Sequence, residues 1–217
     1  MNTPMIIDAL ASVQRAILAN EAQIESLDRA IGDGDHFINV RRGCEVLVVM
    51  APELRDMPPG LALHKIGMKL LGTIGGASGP LISSFFMAMG KTLEGLDEPD
   101  RRQFAAAFAA GVEAIKTRGK ADVGEKTMLD VLIPASRLLL KLADEDVPLL
   151  QLCAQMVEEA ESNMLATRDM IASKGRASFL GERALGHIDP GCKTCQVAIA
   201  AVCESVLEQV APSSEAA

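Results

Sequence analysis

The 217-residue chain contains no tryptophan and no tyrosine, and aromatic residues make up only 3% of it. Alanine, leucine and methionine carry the apolar half of the composition, while the β-branched and aromatic residues that favour strands are thin. This excludes an ordinary β-rich fold and predicts an all-α protein. Positive charge is also short. With 21 basic against 29 acidic residues the net charge is −8, which argues against a general nucleic-acid binder but not against a nucleotide bound through metal ions. No apolar run approaches the length of a membrane span, and the N-terminal stretch has acids inside its helical pattern, so no membrane association and a cytoplasmic setting are expected. The five cysteines are odd in number and no signal peptide precedes them, which points to reduced thiols. Cys192 and Cys195 form CKTC, a spacing shared by redox pairs and half zinc sites. Without a second CxxC or a βαβ pattern, two thiols on a helix's first turn is the favoured reading. The Walker pattern and GxGxxG are absent too.

What is present is a series of helical periodicities. Thr3 before Pro4 reads as an N-cap, and Ile6, Leu10, Val13, Ile17, Ile24 and Leu27 continue at helical spacing to about Ile31, where Gly32 can close the helix. Further helices are expected from His36 to about Met50, over 61–74, from Pro80, from Pro99 to 119 with Asp97 or Glu98 before it, from Thr127 with Asp130 at the capping-box position, from Pro148 to about Ser173, and from Pro190 to about Val210. That makes eight helices in a single domain spanning 1–217, with 211–217 as a frayed tail. The glycines gather at 32–34, 72–79, 119–124 and 175–191, all at breaks between helices.

All four breaks carry residues from which a site can be assembled. Asp28 falls in the last turn of the first helix, an electrostatically poor place for an anion. Asp33 and Asp35 follow within IGDGDH, and the intervening glycines allow the backbone to bring all three acids together. Three ionised carboxylates at one point need a hard divalent cation, and Mg²⁺ suits oxygen ligands shared with a phosphate. A turn with solvated acids fits the same stretch equally well. GGASGP (75–80) offers bare N–H groups and the Ser78 hydroxyl at a helix start, an anion site or simply a tight corner. RGKADVGEKTMLD and KGRASFLGERALGHIDPG supply the basic residues the first two segments lack: Lys120, Lys126, Lys174, Arg176 and Arg183. An arginine there can clamp a diphosphate or stabilise developing charge.

Together LDRAIGDGDHFIN, GGASGPL, RGKADVGEKTMLDV and GRASFLGERALGHIDPG resemble the nucleotide-binding L subunit of dihydroxyacetone kinases, in order from about residue 25 to 195. The resemblance implies an antiparallel eight-helix barrel that binds ADP or ATP with two Mg²⁺ at one end. It places the metals on Asp28, Asp33 and Asp35, and nucleotide contacts on His36, Asn39, Ala77, Ser78, Gly119, Thr127, Met128, Arg176, Asp189, Pro190 and Gly191. Met128 is the surface expected for the adenine and Arg176 the residue expected to act in transfer. It further implies a separate K subunit that holds dihydroxyacetone covalently, so no histidine here is assigned as a nucleophile. In one branch of the family ATP binds, donates and leaves. In the other, ADP stays bound and is recharged by a phosphohistidine-carrying protein of the phosphoenolpyruvate-dependent phosphotransferase system. A chain of this length beginning at Met1 leans to the second. Two other classes compete: a nucleotide-loaded adaptor of a transcription regulator, and a Mg²⁺-dependent phosphohydrolase. Oligomeric state, a homodimer included, is not fixed by the sequence.

Overall fold

The computed structural model describes residues 1–211 and is all-helical, with nine α-helices and two 3₁₀ segments among the described residues. The helices are α1 (Thr3–Ala19), α2 (Glu21–Ile31), α3 (His36–Leu54), α4 (Pro59–Leu71), α5 (Ser78–Thr92), α6 (Arg101–Gly119), α7 (Leu129–Asp144), α8 (Leu149–Ala166) and α9 (Pro190–Val210). The 3₁₀ segments, Thr167–Asp169 and Arg176–Ala184, lie between α8 and α9. No helix among the described residues is long and apolar enough to cross a membrane. The expected tail lies, apart from Ala211, outside the described residues.

Most expected helices are present with shifted starts. The first helix is broken at Asn20, whose side chain donates to the Ala16 carbonyl at 2.8 Å and whose N–H returns to the same turn. Ile17 and Ile24, on either side of the break, still reach one apolar cluster with Phe37, Cys44 and Val197, which is why the periodicity conceals it. Asn2, not Thr3, caps α1, accepting from Met5 N–H at 3.1 Å. Asp100, not Asp97 or Glu98, caps α6 through a reciprocal capping box with Gln103. α3 runs through Pro52 to Leu54, and α7 carries Pro134 inside it. Each proline removes one N–H donor without ending its helix.

Packing closes these elements into a ring. α3 meets α4, each later helix meets the next through α9, and α1 lies against both α9 and α3. Eight helices therefore form the barrel wall, while α2 sits at one end against α3, α9 and the second 3₁₀ segment. Inside the wall, Ile6, Leu63, Met89 and Leu93 pack with Phe85, Phe86, Phe104 and Phe108. Phe85 meets Phe86 and Phe108 edge-on, at 5.3 and 5.6 Å between centroids. Short connections, and across the long α8–α9 connection the bond from Asp189 N–H to Thr167 Oγ1 at 3.1 Å, make the ring alternate up and down. The N-termini of α3, α5, α7 and α9 consequently face the same end.

Candidate functional site

That end is favourable to anions before any side chain is counted, because four helix N-termini direct their first-turn N–H groups and positive dipole ends toward it. The Asp28–Asp35 stretch lies there. Asp28, in the last turn of α2, is buried, whereas Asp33 and Asp35 are exposed on the loop. One carboxylate oxygen from each lies within 4.8 Å of the others, the only such grouping of three potential metal ligands among the described residues. Gly34 takes φ +81°, which a side chain disfavours, and this turns the loop back. Gly32 is needed for room instead: a Cβ there would come within 1.9 Å of an Asp28 carboxylate oxygen. The second Asp28 oxygen accepts the His36 N–H at 3.0 Å, so one acid both joins the cluster and caps the start of α3.

The electrostatics follow from this crowding. Partial loss of solvent, then the hydrogen bond and charge of Asp33, hold the Asp35 carboxyl above its ordinary range, against the opposing Asn39 amide. Burial holds the His36 imidazole below its ordinary value despite Asp28 and Asp35 nearby, and its Nε2 is 2.8 Å from Thr194 Oγ1 on α9. The imidazole is thus held in place against α9 with its protonated form disfavoured. The Arg176 guanidinium reaches across from the second 3₁₀ segment to Asp33, Nε to Oδ2 at 2.7 Å. A donor set of three carboxylates ringed by helix N-termini fits Mg²⁺ shared with phosphate oxygens.

The other sequence-selected residues lie around the same end. In the α4–α5 connection Gly76 has φ +65°, Ala77 caps α5, and Ser78 Oγ donates to the Gly75 carbonyl at 3.2 Å. Gly79 admits no side chain, since a Cβ would come within 2.2 Å of the Ile74 carbonyl oxygen. The same loop touches α3, where the Gly75 Cβ position is 3.1 Å from Asn39 Oδ1. Gly119 ends α6 beside Leu81 of α5. Gly191 faces Met128, whose Cβ is 3.5 Å from where its own would be, so the third and fourth segments meet. Asp189 caps α9, accepting the Cys192 N–H at 2.8 Å, with Pro190 in the first turn. Loss of solvent pushes the Asp189 carboxyl up to about 6, with Asp130 adding and Lys126 opposing. His187 is exposed, as is His64 on α4.

Other organising residues show only part of their role in the sequence, as Asp130 does at its capping-box position. Asp130 is buried and accepts both the Thr127 N–H, at 2.7 Å, and the Gly124 N–H, fixing the loop before α7. Cys192 donates its thiol to the Thr127 carbonyl at 2.8 Å. Burial holds its pKa well above the ordinary thiol value and pushes Cys195 up to about 12. Cys192 is buried and Cys195 half-buried against the α6–α7 cluster, so the CKTC cysteines are packing thiols, not thiolates. Lys126, which the sequence offers as one more basic loop residue, is 1% exposed.

A closed ring of antiparallel helices that gathers carboxylates and helix N-termini at one end defines an all-α protein suited to a metal–phosphate ligand. Comparison with known proteins gives the family. The DAK2 domain pattern matches residues 30–204, and the chain belongs to that family. It is 37% identical over 189 residues to the ADP-binding subunit DhaL of PEP-dependent dihydroxyacetone kinase 2 from Listeria innocua, covering 86% of this chain and 87% of the relative. Over 178 residues it is 38% identical to the corresponding Escherichia coli subunit, covering 81% and 84%. Human triokinase/FMN cyclase is 34% identical over 92% of this chain, which spans 34% of that protein. Among solved structures, the dihydroxyacetone kinase from C. freundii in complex with AMP-PNP and Mg²⁺ superposes with a TM-score of 0.73 at 26% identity, over 93% of this chain and 34% of that one. The family read from the four motifs is thus confirmed.

Proposed function

We propose that this chain is a single nucleotide-binding domain acting as the phosphoryl-transfer subunit of a dihydroxyacetone kinase. It holds ADP or ATP with two Mg²⁺ on Asp28, Asp33 and Asp35, and works with a separate K subunit that presents dihydroxyacetone. The observation that carries this reading is the meeting of three carboxylates within 4.8 Å amid four helix N-termini. Relatives named ADP-binding subunits, which this chain matches over most of their length, support it.

Bound Mg²⁺ would neutralise both the acids and the phosphates. The protein's own task is positioning, which phosphoryl transfer needs more than covalent chemistry. Backbone N–H groups at Ala77 and Ser78 present donors to a phosphate, and the glycines beside them let it approach. His36, held neutral against Thr194, and Asn39 line the α3 side. Gly119, Thr127, Met128 and the Asp189–Pro190–Gly191 turn form the opposite wall, where the exposed part of Met128 offers an apolar face for a purine. Arg176, already at the edge of the carboxylate cluster, is placed to hydrogen-bond a phosphoryl oxygen as charge develops during transfer.

ADP that remains bound and is recharged by a phosphohistidine-carrying phosphotransferase protein, in a cytoplasmic setting, is the favoured branch; relatives named PEP-dependent or PTS-dependent ADP-binding subunits, matched over most of their length, support it. The triokinase relatives favour a second reading, in which ATP binds, donates and leaves. Denaturing freshly purified protein and analysing the released nucleotide separates the two. ADP retained through dialysis supports the first, and an empty, rapidly exchanging site supports the second. Steady phosphate release from ATP by the isolated chain, unaffected by a K-type partner, would refute both.

A further inference from the structure

Lys126 is a large, fully buried side chain that the nucleotide and metal contacts leave unexplained. Its Nζ donates to two backbone carbonyls from another part of the chain, Met170 at 3.0 Å and Ala184 at 2.7 Å. Ala184 is the last residue of the second 3₁₀ segment and Arg176 is the first, with a kink between them at Gly181, φ +57°. One ammonium thus pins the start of that connection and the C-terminal end of the element whose N-terminus delivers Arg176 to Asp33. Immediately after Lys126 come Thr127 and Met128.

The backbone makes the same point independently. Lys126 has φ +58°, a left-handed conformation that glycine adopts without strain and lysine does not. A requirement for the turn alone is met most easily by glycine, so the side chain's bonds compensate for the strain. Neighbouring bonds run across the same seam. Ser173 N–H and Oγ donate to Glu125 at 3.3 and 3.0 Å, and the Cys192 thiol donates to the Thr127 carbonyl. Of these bonds, only those of Lys126 reach Ala184 at the far end of the Arg176 segment.

We propose that Lys126 is a positioning residue that fastens both flanks of the kinked Arg176 segment, at Met170 and Ala184, to the Thr127–Met128 loop, so that the groups gripping the phosphate end and the purine end of one nucleotide are held together. The proposal rests on the nucleotide-site reading above. It assigns Lys126 no contact with the ligand.

The test is a double-mutant cycle on the full chain, with Mg²⁺–ADP affinity measured by titration calorimetry for wild type, Lys126→Met, Arg176→Ala and the double variant. Lys126→Met should weaken binding by about tenfold, within the range for residues sharing one network. In the Arg176→Ala background the same change should weaken it by less than about twofold, because the group it positions is already gone. Lys126→Arg, which keeps cationic donors, should recover part of the loss. If Lys126→Met does not fold, Lys126→Arg takes its place in the cycle, and its smaller loss should likewise disappear when Arg176 is absent. Full additivity overturns the proposal, since a purely structural role predicts it. Wild-type affinity in Arg176→Ala is a different failure: it refutes the placement of Arg176 in the nucleotide site, and the proposal falls with it. As a direct readout, amide exchange across 176–184 should quicken in Lys126→Met without nucleotide, and unchanged exchange there also overturns it.

Discussion

Removing Asp33 should stabilise the stripped protein and abolish its response to ligand, two effects of opposite sign. At 4.8 Å each carboxylate pair repels by about 1 kcal/mol in water-like surroundings and about 3 kcal/mol at an effective dielectric of 20. Asp33 is exposed, so the lower figure applies, and its two pairs give relief of about 2 kcal/mol. Its ion pair with Arg176, exposed on both sides, returns at most about 1 kcal/mol. Net, Asp33→Ala should raise the stability of metal-free protein by about 1 kcal/mol, or about 2–4 °C in Tm for a chain of this size. With Mg²⁺ and ADP at 100 times Kd, the wild type should gain about 2.7 kcal/mol by mass action, about 5–10 °C. The variant should gain almost nothing, so the two melting curves exchange order when ligand is added. The assay is thermal unfolding of protein stripped with a chelator, with and without Mg²⁺–ADP. A variant that melts below the stripped wild type, or that keeps the full ligand shift, would refute the reasoning.

Asp28→Ala should behave differently, because Asp28 also accepts the His36 N–H. Losing that acceptor costs about 1–2 kcal/mol and offsets the relief of about 2 kcal/mol from the two carboxylate pairs of Asp28, so the Tm of the stripped protein should stay within about 2 °C of the wild type. Gly79→Ala places a Cβ within 2.2 Å of the Ile74 carbonyl oxygen, so the loop before α5 must move. Weaker Mg²⁺–ADP binding, together with a stability loss of about 1–3 kcal/mol, is expected by calorimetry and melting. Asp189 has its carboxyl raised from 3.8 to about 6, so its protonated form favours the fold. That contribution is complete below about pH 4 and is lost as pH rises through about 6, amounting to about 2–3 kcal/mol. Asp189→Asn keeps an N-cap acceptor and should gain on the wild type across this window in denaturant titrations at stepped pH. His36, held neutral by burial, acts in the opposite sense in both proteins and cancels in the difference. Asp100→Ala, in the capping box of α6, should lower Tm by about 2–4 °C yet leave the ligand-induced shift intact.

The sequence by itself determined the local parts. Helix-forming composition and 3.6-residue periodicity specify an all-α chain, glycine clusters mark its breaks, and three aspartates within eight residues are brought together by the turns at Gly32 and Gly34. These depend on neighbours in the chain, so spacing reveals them. Helix starts were legible only to within a few residues, because several side chains in each stretch could cap and packing selects among them: Asn2 was preferred to Thr3, and Asp100 to Asp97. The break at Asn20 was hidden because Ile17 and Ile24 enter the same apolar cluster from either side of it. Tertiary structure alone decided that the four glycine-rich segments face one another, since only closure of the ring puts the N-termini of alternate helices at one end. It also decided that Arg176 meets Asp33 and that Lys126 is buried on two carbonyls. Those contacts join residues far apart in the chain, and no local periodicity encodes them. Their energy comes from desolvation and opposing charge, which exist only once the barrel has closed.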